Sequence, residues 1–346
     1  MADPIFSPDG KWMWTGSEWI PAPPTSTQAL GSTINLKDSA MSGDIHITQN
    51  NAGEIAAAMV QALERLGFSS LSSPTELTSN ERVEVEQVLA VSEELAKNEF
   101  TLDPNTELSL AVASRLIGQY KQAINHCESA MAQASEMGDK HLISSINHTL
   151  GSVYRLMKKH DLAEKHYEIA INLRIENGKA FPGDIQGLAV IALNEKNYVR
   201  ARELFHEVIR LEMEDERVED SNLSNAYRGI AVIEQDLGNY DLAEQFNKKS
   251  LDWIERFTPD YLEGRAYAYS GLAWVALKRG LLDEANNWNH KSFEINLQLN
   301  NKAAVIYDYF TFADIAYQKG DFEEQRRMEE NAKKIQRELG LDYTNQ

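Results

Sequence analysis

The chain has 346 residues, 42% of them hydrophobic and 25% charged, values that argue against wholesale disorder. Lys and Arg number 34 against 53 Asp and Glu, a formal net charge of −19, so no nucleic-acid partner is expected. Cys127 is the one cysteine, which leaves no intrachain disulfide framework and no thiolate zinc cluster. With no long apolar run and no basic-then-apolar opening, the expectation is a cytoplasmic protein with no transmembrane span and no secretory leader.

Residues 1–24 hold three of the six tryptophans. Ser7-Pro8-Asp9-Gly10 and Thr15-Gly16-Ser17 carry turn chemistry, and the stretch from Lys11 to Trp14 between them is aromatic and strand-prone. A Trp-rich β-hairpin module is predicted there, too small for a core of its own. Residues 25–79 combine several pieces. A linker runs from Pro21 to Ser32, and alternating stretches around Asn35 and His46 read as a short hairpin. An amphipathic helix follows, opened by the capping-box spacing of Asn51 and Glu54 and closed near Gly67. Ile55, Met59, Leu63 and Leu66 line one face of that helix, and Ser69 to Ser79 is a second linker. Residues 80–103 form a leading helix with Val85, Val88, Leu89, Ser92 and Leu95 near one side.

From residue 104 the chain repeats itself. Gly187-Leu188-Ala189, Gly229-Ile230-Ala231 and Gly271-Leu272-Ala273 lie 42 residues apart, with Thr149-Leu150-Gly151 and Thr311-Phe312-Ala313 as outer equivalents. A small residue recurs twelve positions later, at Ala163, Ala201, Ala243 and Ala285. Ala123 fits the same slot upstream and Gln325 breaks it downstream. A second small position follows seven residues on, at Ala130, Ala170, Val208, Ser250, Ser292 and Ala332. Small residues at one fixed place in two helices let those helices approach closely, and stacked copies bury a continuous core. Six copies are expected, over 104–143, 144–181, 182–223, 224–265, 266–305 and 306–340. The second helix of the fourth copy, with Leu242, Phe246, Leu251, Trp253, Ile254 and Phe257, reads as an interior one. The last helix shows one narrow stripe, Met328, Ala332, Ile335 and Leu339, as a terminal repeat requires.

The motifs Gly118-Gln119-Tyr120 with Ala123, Leu150-Gly151 with Tyr154, Ala163, Tyr167 and Ala170, Tyr198 with Ala201 and Phe205, and Gly238-Asn239-Tyr240 with Ala243 carry a resemblance. The chain resembles a tetratricopeptide repeat protein of the long-repeat branch, with copies of 38–42 residues. The resemblance implies an all-α right-handed superhelical solenoid with a concave groove, preceded here by a small β/α region. It implies no cofactor and no metal, and a protein or peptide partner. Carried over by register, the groove residues are Arg115, His148, Arg155, Gln186, Asn225, Arg228, Gln235, Tyr267, Trp274, Tyr307, Asp314 and Tyr317. For Trp274, groove and core are both open.

The residue types themselves support little chemistry beyond binding. No phosphate loop and no dinucleotide glycine fingerprint are present, and His206-Glu207 lacks a second His four residues on. Cys127 occupies a packed second-helix position and reads as a buried thiol. Glu212 to Asp220, rich in acids, reads as a solvated helix end or as a site for a basic partner. The arginines of the groove suit an acidic segment or a C-terminal carboxylate, and its Tyr and Trp residues supply rigid contact area. The expected function is a non-enzymatic interaction scaffold. A peptide-responsive regulatory sensor is the first alternative, and an enzyme of unrecognised type the second.

Overall fold

The computed structural model describes residues 5–6, 12–14, 19–21, 51–68, 77–176, 178, 180–214 and 222–340. The linker that ends at Ser32, the stretches around Asn35 and His46, most of the second linker and most of the acidic run after Glu212 lie outside the described residues. The chain divides into two units, one of residues 1–62 and 90–101, the other of 63–89 and 102–346.

In the first unit, β1 (Ile5–Phe6), β2 (Trp12–Trp14) and β3 (Trp19–Pro21) pair antiparallel in chain order, with Trp14 opposite both Ile5 and Trp19. Helix α1 (Ala52–Arg65) begins in this unit and α2 (Ser79–Lys97) ends in it. Met59, Leu63 and Leu66 of the expected α1 face are buried, as are all five residues predicted for α2. Gly67 ends α1 with φ +84°, a backbone conformation that a Cβ opposes.

Twelve consecutive helices in six hairpins make up the array in the second unit. They are α3 (Pro104–Leu116) and α4 (Tyr120–Met137), α5 (Lys140–Leu156) and α6 (His160–Glu176), α7 (Pro182–Asn194) and α8 (Tyr198–Glu214). The second half holds α9 (Asn222–Asp236) and α10 (Tyr240–Phe257), α11 (Leu262–Lys278) and α12 (Leu282–Gln298), α13 (Lys302–Lys319) and α14 (Phe322–Glu338). Local chemistry starts them. Asp103 accepts from the Asn105 and Thr106 amides at 3.0 and 3.1 Å, with Pro104 pre-set for the first turn. Asp139, Asn301 and Asp321 cap α5, α13 and α14 in the same way.

The turn inside each hairpin needs one left-handed residue. Gly118, Gly238, Gly280 and Gly320 supply it at no steric cost, but Lys158 and Lys196 hold the same place with φ +58° and +59°. Beyond the turns of the first five hairpins, Ala123, Ala163, Ala201, Ala243 and Ala285 are all 0% exposed, so these repeats bury their small position completely, while Gln325 in the sixth is half-buried. The backbones of successive first helices (α3, α5, α7, α9, α11, α13) approach one another closely, whereas among the described residues no two second-helix backbones do so, and only long side chains such as Arg200 of α8 and Glu164 of α6 reach between them. The array therefore curves with its first helices inside and its second helices outside.

Two expected interior residues of α10 differ. Leu242 and Phe257 are exposed, because they sit on the outer side of a second helix, while Leu251 and Ile254 are buried. Leu339 is also exposed, at the end of the last helix, where Ala332 is buried.

Two substitutions test this construction with opposite signs. Ala243→Leu overpacks a closed position and should cost roughly 1–3 kcal/mol. Lys158→Gly relieves a left-handed lysine and should stabilise by about 0.5–1 kcal/mol. Urea denaturation midpoints should fall for the first and rise for the second. An unchanged midpoint for Ala243→Leu would show that the register is misplaced.

Candidate functional site

The inner face is built from residues on first helices, each set by the repeat register. At its N-terminal end Arg115 donates to the Ser152 hydroxyl of the next copy at 3.4 Å. Burial pulls its guanidinium below the ordinary value; Tyr167 opposes that shift and Arg155 adds to it. Arg155 is half-buried and, among the described residues, has neither a hydrogen bond nor an ion pair.

His148 is drawn into a network with the following copy. Its Nδ1 lies 2.7 Å from Oδ1 of Asp184, and the other Asp184 oxygen accepts from Arg174 at 3.1 Å. Asp184 is fully buried. The His148 ring meets Phe181 edge-on, and Arg174 stacks over the same Phe181 ring at 4.1 Å. A buried carboxylate of the third copy with two partners on the second ties those copies together. Gln186, two residues after Asp184 on α7, is half-buried, with its side-chain oxygen unpartnered among the described residues.

The middle and C-terminal copies converge on a pocket of about 230 Å³. Five of the residues assigned by register line it: Arg228, Gln235, Tyr267, Trp274 and Tyr307. Arg228 lies over the Tyr267 ring at 4.8 Å, and its Nε is buried with no partner. The Tyr267 hydroxyl donates to Glu263 at 2.8 Å, and burial pushes that phenol well above its ordinary range. Gln235 donates to the Gly271 carbonyl at 3.2 Å, closing the wall. Trp274 meets Tyr240 edge-on and lies under Lys278, half-buried, so it belongs to the pocket wall and to the packing at once. Asn225 accepts from Tyr261 beside the pocket. Asp314 and Tyr317 are exposed and stand apart from it.

Sequence reasoning missed the polar floor. Asp308 is fully buried, with one carboxylate oxygen accepting from Ser292 at 2.9 Å and the other from Asn296 at 2.7 Å. Asn289 donates to the Asp308 backbone carbonyl at 2.9 Å. Burial pushes the Asp308 carboxyl up to about 6, while Asn296 and Ser292 pull it back. Asn247 also lines the pocket, 1% exposed, with its amide nitrogen unpartnered. A signal for Asn247 existed: it stands four residues after Ala243, where Tyr167 follows Ala163 and Phe205 follows Ala201. A larger opening of about 610 Å³, lined by His290, Phe293, Phe312 and Met328 among others, holds none of the residues assigned by register.

Among the described residues no cluster of three or more His, Cys, Asp or Glu could hold a metal ion. Cys127 is fully buried, and desolvation raises its thiol far above the range in which thiolates form. Among the described residues no helix is long and apolar enough to cross a membrane.

The comparisons agree with this architecture. A tetratricopeptide repeat model matches residues 103–176 and 222–298. These residues of the chain form tetratricopeptide repeats. Similar folds include the apo form of the quorum sensor NprR from B. thuringiensis, with TM-score 0.58 and 16% identity over 74% of this chain and 72% of that one. BtubC from P. vanneervenii has TM-score 0.52 and 18% identity over 66% and 93%. The apo form of RapI has TM-score 0.52 and 14% identity over 69% and 99%. No curated protein matches the sequence.

The buried Asp308 makes stability depend on pH. Its folded value lies above that of an unfolded aspartate, so the folded state binds the proton more readily, and stability falls as pH rises from about 4 to about 6. Asp308→Asn should flatten that fall and raise stability at pH 7.5 by roughly 1–3 kcal/mol, read from melting curves at several pH values.

Proposed function

We propose that the chain is a non-enzymatic interaction scaffold that holds a peptide or protein segment against its first helices. The segment carries acidic groups or a free C-terminal carboxylate. The observation that carries this reading is the state of three arginines. Arg115, Arg155 and Arg228 are half-buried on first helices and pair with no carboxylate among the described residues. Many arginines elsewhere in the array find acids, among them Arg174 with Asp184, Arg200 with Glu164, Arg202 with Glu234, and Arg279 with Asp241 and Glu244, while among the described residues Arg265, Arg326 and Arg337 bond only to backbone carbonyls. In a chain of net charge −19, acids are abundant. Guanidiniums left without one keep their forked donors for a carboxylate from outside.

The aromatic residues continue the same surface. Tyr267, Trp274, Tyr307 and Tyr317 offer large, rigid area beside the arginines, the combination that carries most binding energy at interfaces. In this reading the scaffold proper runs as six repeats over 104–340, with the small β/α region of residues 1–103 ahead of it. The single buried thiol suits a reducing compartment and supports a cytoplasmic location in this reading.

Capture of a partner from native lysate by the full chain tests the reading. The double variant Arg155→Glu, Arg228→Glu should keep the wild-type helical circular dichroism and capture less partner, with the greatest loss at low salt. Trp274→Ala should leave association unchanged and speed release, because an aromatic anchor acts mainly on dissociation. A partner held equally well by all of these forms would remove the first helices as the binding face.

A further inference from the structure

In copies two and three, the interior position four residues past the small slot holds an aromatic ring. That ring fills a notch in the following first helix. A methyl group built on Gly187 would lie 2.3 Å from the Tyr167 ring, and one on Gly229 would lie 2.2 Å from the Phe205 ring. In copy four the notch persists at Gly271, but Asn247 faces it, with its side-chain oxygen 2.5 Å from the same methyl position. An amide occupies less space than a ring. Beside it the structure opens the pocket of about 230 Å³, room for a group of roughly amino-acid size.

The polar atoms of this pocket are not balanced. The carboxylate of Asp308 is already compensated by Ser292 and Asn296. Two buried atoms are left open, the Asn247 amide nitrogen and Arg228 Nε, and both are donors. Buried polar groups in folded proteins are nearly always satisfied, so two convergent open donors mark a place for an acceptor. One of the two belongs to a guanidinium with no carboxylate partner, which favours an acceptor that carries negative charge. Tyr267, Trp274 and Tyr307 add flat apolar walls.

We propose that this pocket is a built subsite for a carboxylate attached to an apolar group, gripped by Arg228 and Asn247 between the aromatic walls. The proposal rests on the reading of the first helices as the binding face, and it names what one position of a bound segment must carry. Two sources fit: a C-terminal carboxylate, or an acidic side chain within the segment. Copies two and three lack such a subsite because their rings occupy the equivalent space.

The test uses the full chain and three small probes in ligand-observed NMR titrations. N-acetyl-phenylalanine carries a terminal carboxylate, N-acetyl-glutamate α-amide carries only a side-chain carboxylate, and N-acetyl-phenylalanine amide carries none. At least one acid should bind at least tenfold more tightly than the neutral amide, and the preferred acid identifies the source. Asn247→Phe restores the ring used by copy three, so it should melt at or above the wild-type temperature and lose the acid at least tenfold. Arg228→Met should weaken the acid at least tenfold and leave the neutral amide unchanged, a readout that stands even if Asn247→Phe fails to fold. The proposal is overturned if neither acid binds the wild type, if the neutral amide binds as well as the acids, or if folded Asn247→Phe or Arg228→Met keeps wild-type acid affinity. Failure here with partner capture still lost in Arg155→Glu, Arg228→Glu would sink the subsite and spare the scaffold. Acid binding with unaltered capture would do the reverse.

Discussion

One contact recurs along the array: a second-helix side chain pressed into a first-helix position that carries no Cβ. Tyr167 lies against both Gly151 and Gly187, and Phe205 lies against Gly229, at separations where a single added methyl group would collide with the ring. Interiors packed at this density give way only by moving backbone, so in copies two and three the ring, the glycine it meets and the fully buried alanine of its helix depend on one another. Neighbouring copies are held at a fixed spacing where Gly187 and Gly229 each receive a ring from the hairpin before. The inner position of the first helices follows as well, since close approach at the notches keeps them in touch while the second helices splay.

The C-terminal half keeps the notch and changes what fills it. Asn247 and Asn289 take the place of rings, and Ser250, Ser292 and Asn296 join them in the interior, none more than 4% exposed. Polar groups at such depth are stable only when they satisfy one another, and most of them do so through Asp308. Among the described residues, buried polar atoms without a partner occur at several places in the array, on Ser114, His126, Gln186, Thr258 and Arg265, but those on Arg228 and Asn247 line the same pocket, and Asn289 is bonded to its floor at Asp308. The same substitution that costs packing in copies four and five thus creates a concave, partly polar surface on the inner side.

Much of this was legible in the residues. The alanine slots, the left-handed turn positions and the buried faces of α1 and α2 could be read because each rests on local spacing and on residue size. Five of the register-assigned groove residues meet at one pocket, since register along a solenoid is a spatial coordinate. The bond from His148 to Asp184 was not legible. It joins copies across 36 residues, and its formation depends on how far one hairpin is rotated against the next. Asp308 was hidden for a related reason: its partners lie on the preceding second helix, at separations of 12 and 16 residues that match no helical period. The exposure of Leu242 shows a further limit, because an apolar residue on a second helix does not reveal from composition which side of the curve it faces.

Charge completes the picture. Acids on one copy meet bases on the next, as in Glu164 with Arg200 and Asp283 with Lys319, and these exposed pairs add little stability while opposing wrong register. The arginines of the inner face stand outside that pairing, and the central claim is that this face receives the partner. The most direct test places a photo-reactive benzoyl-phenylalanine at Tyr307, exposed on the inner helix α13, and separately at Leu242, exposed on the second helix α10. Irradiation of each form in native lysate should yield a covalent adduct from position 307 and none from position 242. Adducts from position 242 alone would contradict the account and move the binding face to the outer helices.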